Sequence, residues 1–534
     1  MNAVSASLRH ALLAPVVLLL CGAAPASHPC AQCHSREVTG YEATAMAHAL
    51  SRPTELPSVR FTHAVSKTKF AVHWDNGRLV QSIERDGISA QHDMAWAIGS
   101  GTHAFGFLIQ IGDALFQSPI AWYTARKTWD VAPGYEADTT PDFNRPVTPE
   151  CVFCHAGQAR PVRGTLNRYQ QPPFVPGQEG ITCERCHGPV AAHLRAPVPG
   201  SIVNPAKLSP RARDSICEQC HLSGVARIPN PGRTVSDFRA GMELEDIFSV
   251  YVFAGSRDPS RARALKVISH VQQLALSTCA RQSHGKMWCG SCHDPHQQPA
   301  DPKAYFRARC LACHGTALLA THAKPADDCI GCHMPKRSVS DGGHTSFTDH
   351  HILRFPQFEQ GEDLPEPLVA WREPPASFAD RNLGLADVEV GRRYRSARHM
   401  VDGLRLLSSA KRDSPLDPAI STGIGMVLLG MHRGRSAAAS FAQAIQVEPG
   451  VASHYLDEGY AWWAAGDRTR ATASLEHALQ LEPLLEQAYV ALAGIYKKAG
   501  DAEKVRETWD RYARAFPGNI EAQQARRLMA AGAP

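Results

Sequence analysis

The sequence predicts a mainly α chain in two unlike parts: a loop-rich segment holding a small β element, then an α-solenoid. Three observations lead there. Short cysteine–histidine motifs recur through the first two-thirds of the chain, the gap between the first two of them contains strand-like alternation, and a regular helical period runs through the last third. At 534 residues the chain is long enough for two or three domains. With 40 glycines, 38 prolines and only 7% aromatic residues, its first part is expected to have short helices and little ordinary apolar core.

The motif is Cys-x-x-Cys-His, and it occurs seven times. The copies are Cys30, Cys33 and His34; Cys151, Cys154 and His155; Cys183, Cys186 and His187; Cys217, Cys220 and His221; Cys289, Cys292 and His293; Cys310, Cys313 and His314; and Cys329, Cys332 and His333. Fourteen of the 16 cysteines lie in them. Two thiols at this spacing share one face of a helical turn, with an imidazole next to them. That is the attachment site of c-type haem: the thiols bond the porphyrin and the histidine binds iron. Zinc ribbons also use Cys-x-x-Cys, but they close one site with two pairs and need no histidine directly after the second cysteine. An odd number of pairs, each followed by histidine, points to seven covalent haem c groups.

The formal charge of +5 describes the polypeptide only. A ferric haem with two histidine ligands and ionised propionates adds about −1, so the loaded protein is roughly −2 when oxidised. The basic isoelectric point is therefore no argument for a nucleic-acid partner.

At the N-terminus, Arg9 and His10 precede an apolar run from Ala11 to Leu20, and Ala24-Pro25-Ala26 offers a small-residue cleavage site. Residues 1–26 read as a signal peptide, too short in its apolar run to span a bilayer. The expected location is the periplasm or beyond. Membrane attachment would come only through a lipid on Cys21 or a membrane-bound partner.

Taken in order, the long gap after the first motif holds Phe70, Val72 and Trp74 alternating with polar residues. Asp75-Asn76-Gly77 follows as a turn, then a second strand from Leu79 to Ile83. An apolar stretch, Ala104 to Ile111, comes after the glycine-rich Gly99 to His103. Six motifs then crowd into a helix-and-loop region, giving a haem domain over 27–353. From 354 to 383 the composition turns to Pro, Glu and Asp (Pro356, Pro365, Pro367, Pro374, Pro375), which reads as a linker.

Beyond it, Pro415, Pro449, Pro483 and Pro517 recur with a period of about 34 residues. Gly391, Gly425, Gly459 and Ala493 form a small-residue column in the same register. Leu407, Phe441, Leu475 and Trp509 form a large one, and Ala410, Ala444, Ala478 and Tyr512 a further one. This is the tetratricopeptide pattern: small residues let paired helices approach, large ones fill the seam, and proline closes the second helix. Four repeats fit, 384–417, 418–451, 452–485 and 486–519, with 520–534 as a cap.

The second axial ligand separates electron wires from catalysts. The chain has 26 histidines, and fourteen outside the motifs lie between His28 and His351. Such a surplus, confined to the motif segment, is what two-histidine ligation of most haems requires. The first candidates are His193 and His296, a few residues beyond motif histidines. His103 follows in its glycine-rich turn, with His63 before the hairpin, His270 before Cys279, and His344 and His350 after the last motif. His28, His48, His73, His92, His284, His322 and His351 form a second tier. Met46 is an alternative ligand, and Cys279 has no assigned role.

Several runs resemble multihaem c-type cytochromes related to the tetrahaem cytochrome of ammonia oxidisers, above all bacterial forms fused to tetratricopeptide repeats. The runs are GYEATAMAHA, GSGTHAF, CERCHGPVAAH, LSTC with CGSCHDPH, and CIGCHMPKR with DGGHTSFTDHHILR. The resemblance implies bis-histidine haems stacked as an electron-transfer array. Two functions compete. One is an electron carrier whose repeats dock a redox partner protein; the other is an oxidoreductase acting on a small nitrogen or sulfur compound at one five-coordinate haem. The histidine surplus favours the carrier, for which no residue is assigned a catalytic role. The isolated first motif favours the enzyme.

Overall fold

The computed structural model describes residues 28–258, 265–322, 327–354 and 366–530; the expected signal peptide lies outside them. Among the described residues no helix is long and apolar enough to cross a membrane.

Strands form where the alternation begins. Val59–Thr62, Lys69–Asp75, Arg78–Arg85 and Ile88–Asp93 make a four-stranded antiparallel meander. Phe70 and Val72 point into the core at 1% exposure, while Lys69 and His73 face out. Asp75 pairs with Arg78, leaving Asn76 and Gly77 as the two turn residues, both with positive φ (48° and 76°). Asn and Gly tolerate that backbone, which matches the twist of a tight hairpin.

The stretch Ala104–Ile111 is the central strand of a second, seven-stranded sheet, pairing with Trp96–Ile98, Ala114–Gln117 and Ile120–Tyr123. The β element is thus larger than the sequence predicts. The additional strands include two-residue ones such as Leu50–Ser51 and Arg145–Pro146, too short to show a period.

A third sheet joins Ala226–Pro229, Phe248–Phe253 and Leu368–Ala370. Its middle strand is buried along its whole length. Leu368–Ala370 lies in the expected linker, so from Glu366 onward that stretch is an edge strand rather than a free tether. Proline can stand beside a strand only at an edge, where its missing N–H breaks no ladder.

The last third is a stack of antiparallel helix pairs: Ala379–Arg393 with Ala397–Asp413, Pro418–Gly430 with Gly434–Val447, Ala452–Ala464 with Arg468–Leu481, and Glu486–Lys498 with Ala502–Ala515. Ile520–Ala530 follows as a ninth helix. The small and large columns meet as the period requires. A Cβ on Gly425 would lie 2.7 Å from the Phe441 ring, and one on Gly459 2.7 Å from Leu475. Leu407, Phe441 and Leu475 are fully buried. The recurring prolines fall in the turns between pairs. The first helix starts five residues before 384, and that extra turn packs on the third sheet. Arg381 donates to Asp417 (2.6 Å) and to the Pro229 carbonyl (2.8 Å), and Asn382 to Asn230 (2.9 Å) and Ser249 (3.0 Å).

The array is also seated at its far end. One apolar cluster joins Phe70, Phe107 and Phe116 of the sheets to Leu475, Leu492, Tyr512 and Phe516 of the helices. Phe516 meets Phe116 edge-on, ring centres 5.7 Å apart. Around this seam the Ile520 N–H donates to Asp142 (2.7 Å) and the Leu166 N–H to Glu482 (2.9 Å). The repeats therefore share a core with the N-terminal sheets, burying part of the surface they would otherwise offer to other proteins.

Candidate haem centres

Each motif sits on one helical turn, which brings its two cysteines to the same side. In three of them the turn is closed by the histidine N–H donating to the first cysteine's carbonyl, His34 to Cys30 (2.8 Å), His187 to Cys183 (2.9 Å) and His293 to Cys289 (2.9 Å), whereas the His155 N–H donates to Val152 O (3.0 Å). Two motifs end longer helices, Pro210–His221 and Pro302–His314. Their starts are capped by Ser209, accepting from Ala212 N (3.3 Å), and Asp301, accepting from Ala304 N (3.1 Å).

The motifs are neighbours in space, partly in sequence order (fourth with fifth, sixth with seventh) and partly not (first with third, second with fourth). Cys30 and Cys183 lie with His28 inside a 4.8 Å cluster. Thiol contacts also link Cys154 with Cys220, Cys217 with Cys289, and Cys310 with Cys329. Burial pushes the Cys183 thiol up to about 12 and the Cys310 thiol up to about 11. Cys154 is held low by a hydrogen bond with the Cys220 thiol and by the neighbouring Arg227 and Arg185.

Four contacts set a motif histidine against another histidine, and two of these pairs adjoin, since His270 also stands 4.8 Å from His350. Ring centres are 5.9 Å apart for His187 and His296, 6.2 Å for His293 and His350, 5.6 Å for His221 and His270, and 5.8 Å for His333 and His322. An iron bonded to imidazole nitrogen on each side at about 2 Å would set two ring centres roughly 6 Å apart. The other ring nitrogen is anchored in several of these: Nδ1 of His187 to Val203 O (2.9 Å), of His333 to Leu353 O (2.8 Å) and of His350 to Thr348 O (2.9 Å). A proton fixed on Nδ1 leaves the Nε2 lone pair for a metal.

Burial lowers the pKa of His155, His187, His221, His293 and His350, and takes His270 down to about 3, with His350 and other neighbouring imidazoles adding to the effect. Neutral imidazole is the ligating form. The packing fits a large flat cofactor as well. The helices Cys289–Cys292, Pro302–His314 and Cys329–His333 bury none of their side chains, so they build no apolar core of their own. The donor set and its surroundings suit haem c.

The other candidates fall as follows. His193 carries the same anchor, Nδ1 to Ser201 Oγ (2.8 Å). His103 packs on Phe347, ring centres 4.2 Å apart, within electrostatic reach of His270. The His155 ring bonds the backbone at Ala49, beside His48. His296 faces the third motif's histidine instead of the one three residues before it.

Two candidates are engaged elsewhere. His344 directs Nε2 to Asp130 (2.7 Å) against Tyr123, and His63 uses both ring nitrogens, on Ser66 Oγ (2.9 Å) and Glu136 O (3.3 Å). His322, ranked second by sequence, stands against His333. Its position between two closely spaced motifs was the available signal.

Comparison with known proteins agrees with this picture. The model of the family Cytochrome c554 and c-prime matches residues 121–188, which contain the second and third motifs. Multiheme cytochrome MtrA of Shewanella baltica (strain OS185) is 27% identical over 183 residues. That match covers 31% of this chain and 51% of the relative, so the chain spans about half the relative's length. Among solved structures, MamA is 20% identical over 27% of this chain and 83% of its own (TM-score 0.24). The first TPR of Spaghetti, bound to an HSP90 peptide, is 19% identical over 22% of this chain and 94% of its own (TM-score 0.20). The chain is thus similar to the cytochrome c554 and c-prime family around its second and third motifs and, over 183 residues, to a multihaem cytochrome, while its repeat architecture stands on the helix pairs themselves.

Proposed function

We propose that this chain is an exported multihaem c-type cytochrome that carries electrons through seven covalently attached haems, most held between two histidines. The observation that supports it best is the set of four histidine pairs at iron-bridging separation, each containing a motif histidine. Haem, when bound, supplies reversible one-electron chemistry. The chain's own residues do the rest. The motif thiols would tether the haems, His34, His155, His187, His221, His293, His314 and His333 would ligate their irons, and backbone carbonyls hold Nδ1 of His187, His333 and His350. Neighbouring motifs within thiol contact keep successive centres close enough for electrons to pass between them. The helical repeats, beyond the surface used to hold their own sheets, dock a redox partner protein.

The test is protein matured in a host with c-haem machinery and measured intact. A mass increment of seven haems on a chain beginning near Ser27 is expected, with ferric spectra dominated by low-spin iron. Five or fewer haems would overturn the reading. A prominent high-spin ferric signal in the wild-type protein would move the function toward an oxidoreductase with an open haem.

A further inference from the structure

We propose that His322 is the second axial ligand at the seventh motif, opposite His333. The inference rests on the multihaem reading above and deepens it at one centre. His322 follows the short helix Leu318–Thr321, where the backbone turns extended (φ −81°, ψ 144°) and the helix ends. The helix Cys329–His333 has its first turn capped by Asp328, which accepts from the Gly331 N–H (2.9 Å). Asp328 also pairs with Lys303 (3.1 Å), pinning this helix to Pro302–His314. The result places the two rings 5.8 Å apart, within the 5.6–6.2 Å range of the other three pairs. His333 has Nδ1 on Leu353 O at 2.8 Å, so its Nε2 is the nitrogen left for iron.

The histidines that follow the last motif are engaged otherwise. His344 spends Nε2 on Asp130 (2.7 Å), and His350 faces His293. His351 has Nδ1 on Asp349 (2.5 Å), where Arg337 also binds (2.9 Å); this anchor leaves its Nε2 free for a metal, but the ring set against His333 is that of His322. The ring that faces His333 therefore comes from before the motif rather than after it.

The ring planes add a signature. His187 with His296 and His293 with His350 are nearly parallel (25° and 28°), whereas His322 with His333 is steeply crossed (70°), as is His221 with His270 (85°). Crossed imidazoles make the two iron d-orbitals that share the unpaired electron nearly equal in energy. That gives a low-spin ferric signal of very large anisotropy, distinct from the rhombic signal of parallel rings.

The experiment uses the full haem-loaded protein and low-temperature electron paramagnetic resonance. His322→Ala should keep seven haems by mass, lose one highly anisotropic low-spin component and gain one high-spin ferric centre, which added imidazole converts back. His344→Ala should change none of these signals. If His322→Ala fails to accumulate, His322→Met supplies a thioether ligand and should raise the potential of a single haem. Unchanged spectra and potentials in the His322 variants, with all haems present, would overturn this ligand assignment alone. A wild-type protein short of haems would instead overturn the multihaem reading on which it rests.

Discussion

The segment carrying the last three motifs and the helical repeats are both made of helices, yet they are held together in opposite ways. In the repeats every paired helix buries at least four residues, and large side chains close against glycine and alanine columns. The motif helices Cys289–Cys292, Pro302–His314 and Cys329–His333 bury none. They are placed by caps, by ion pairs such as Lys303 with Asp328, and by imidazole bonds to carbonyls. The caps and imidazole hydrogen bonds are individually worth about 0.5–1.5 kcal/mol, against several for a buried large apolar side chain, and an exposed ion pair adds little. One region carries its own core, and the other is built to close around cofactors.

Withholding haem should sharpen that contrast most. Protein with its motif cysteines changed to alanine is expected to be cut by a protease first within 278–354. Its repeats should keep their helical circular dichroism. Equal resistance in both regions would break the comparison. A smaller effect should come from the shared seam. Phe516 is 1% exposed and packs on Phe116, so Phe516→Ala should cost about 3–5 kcal/mol in denaturant unfolding. Hydrogen exchange should rise in both the repeats and the strand Ala114–Gln117. A rise in the repeats alone would mean that the array and the sheets do not share a core.

The smallest effect concerns pH at the same seam. Asp142 is fully buried and accepts from Phe143 N and Ile520 N, and burial pushes its carboxyl up to about 7. A carboxyl whose folded pKa lies above its unfolded value binds its proton more tightly in the folded state. Its contribution is complete below the unfolded pKa near 4 and is lost as pH rises to about 7. Melting temperature should therefore fall across that window, and Asp142→Asn should remove this part of the slope. A variant with the wild-type slope would assign the pH dependence to other groups.

How much was legible in sequence divides along the same line. The repeat register was readable because helix packing repeats locally: Gly425 against Phe441 and Gly459 against Leu475 recur with one period. The hairpin at Asn76-Gly77 was readable because turn chemistry is local. The extent of the β region was not, because two-residue strands such as Leu50–Ser51 and Arg145–Pro146 exist only through their partners.

The histidines make the same point more sharply. By itself the sequence determined that thiols and an imidazole share one helical turn seven times, since that geometry lies within five consecutive residues. Only the tertiary structure decided which second histidine faces which motif. It set His296 opposite His187, sent His344 to Asp130 and brought His322 to His333. It also decided that the repeats press on the sheets at Phe116 and Phe516 rather than hang from a linker. Which histidine rings face each other, and which surfaces meet at a seam, is chosen by where separate loops come to rest, a long-range outcome of packing that no local period encodes.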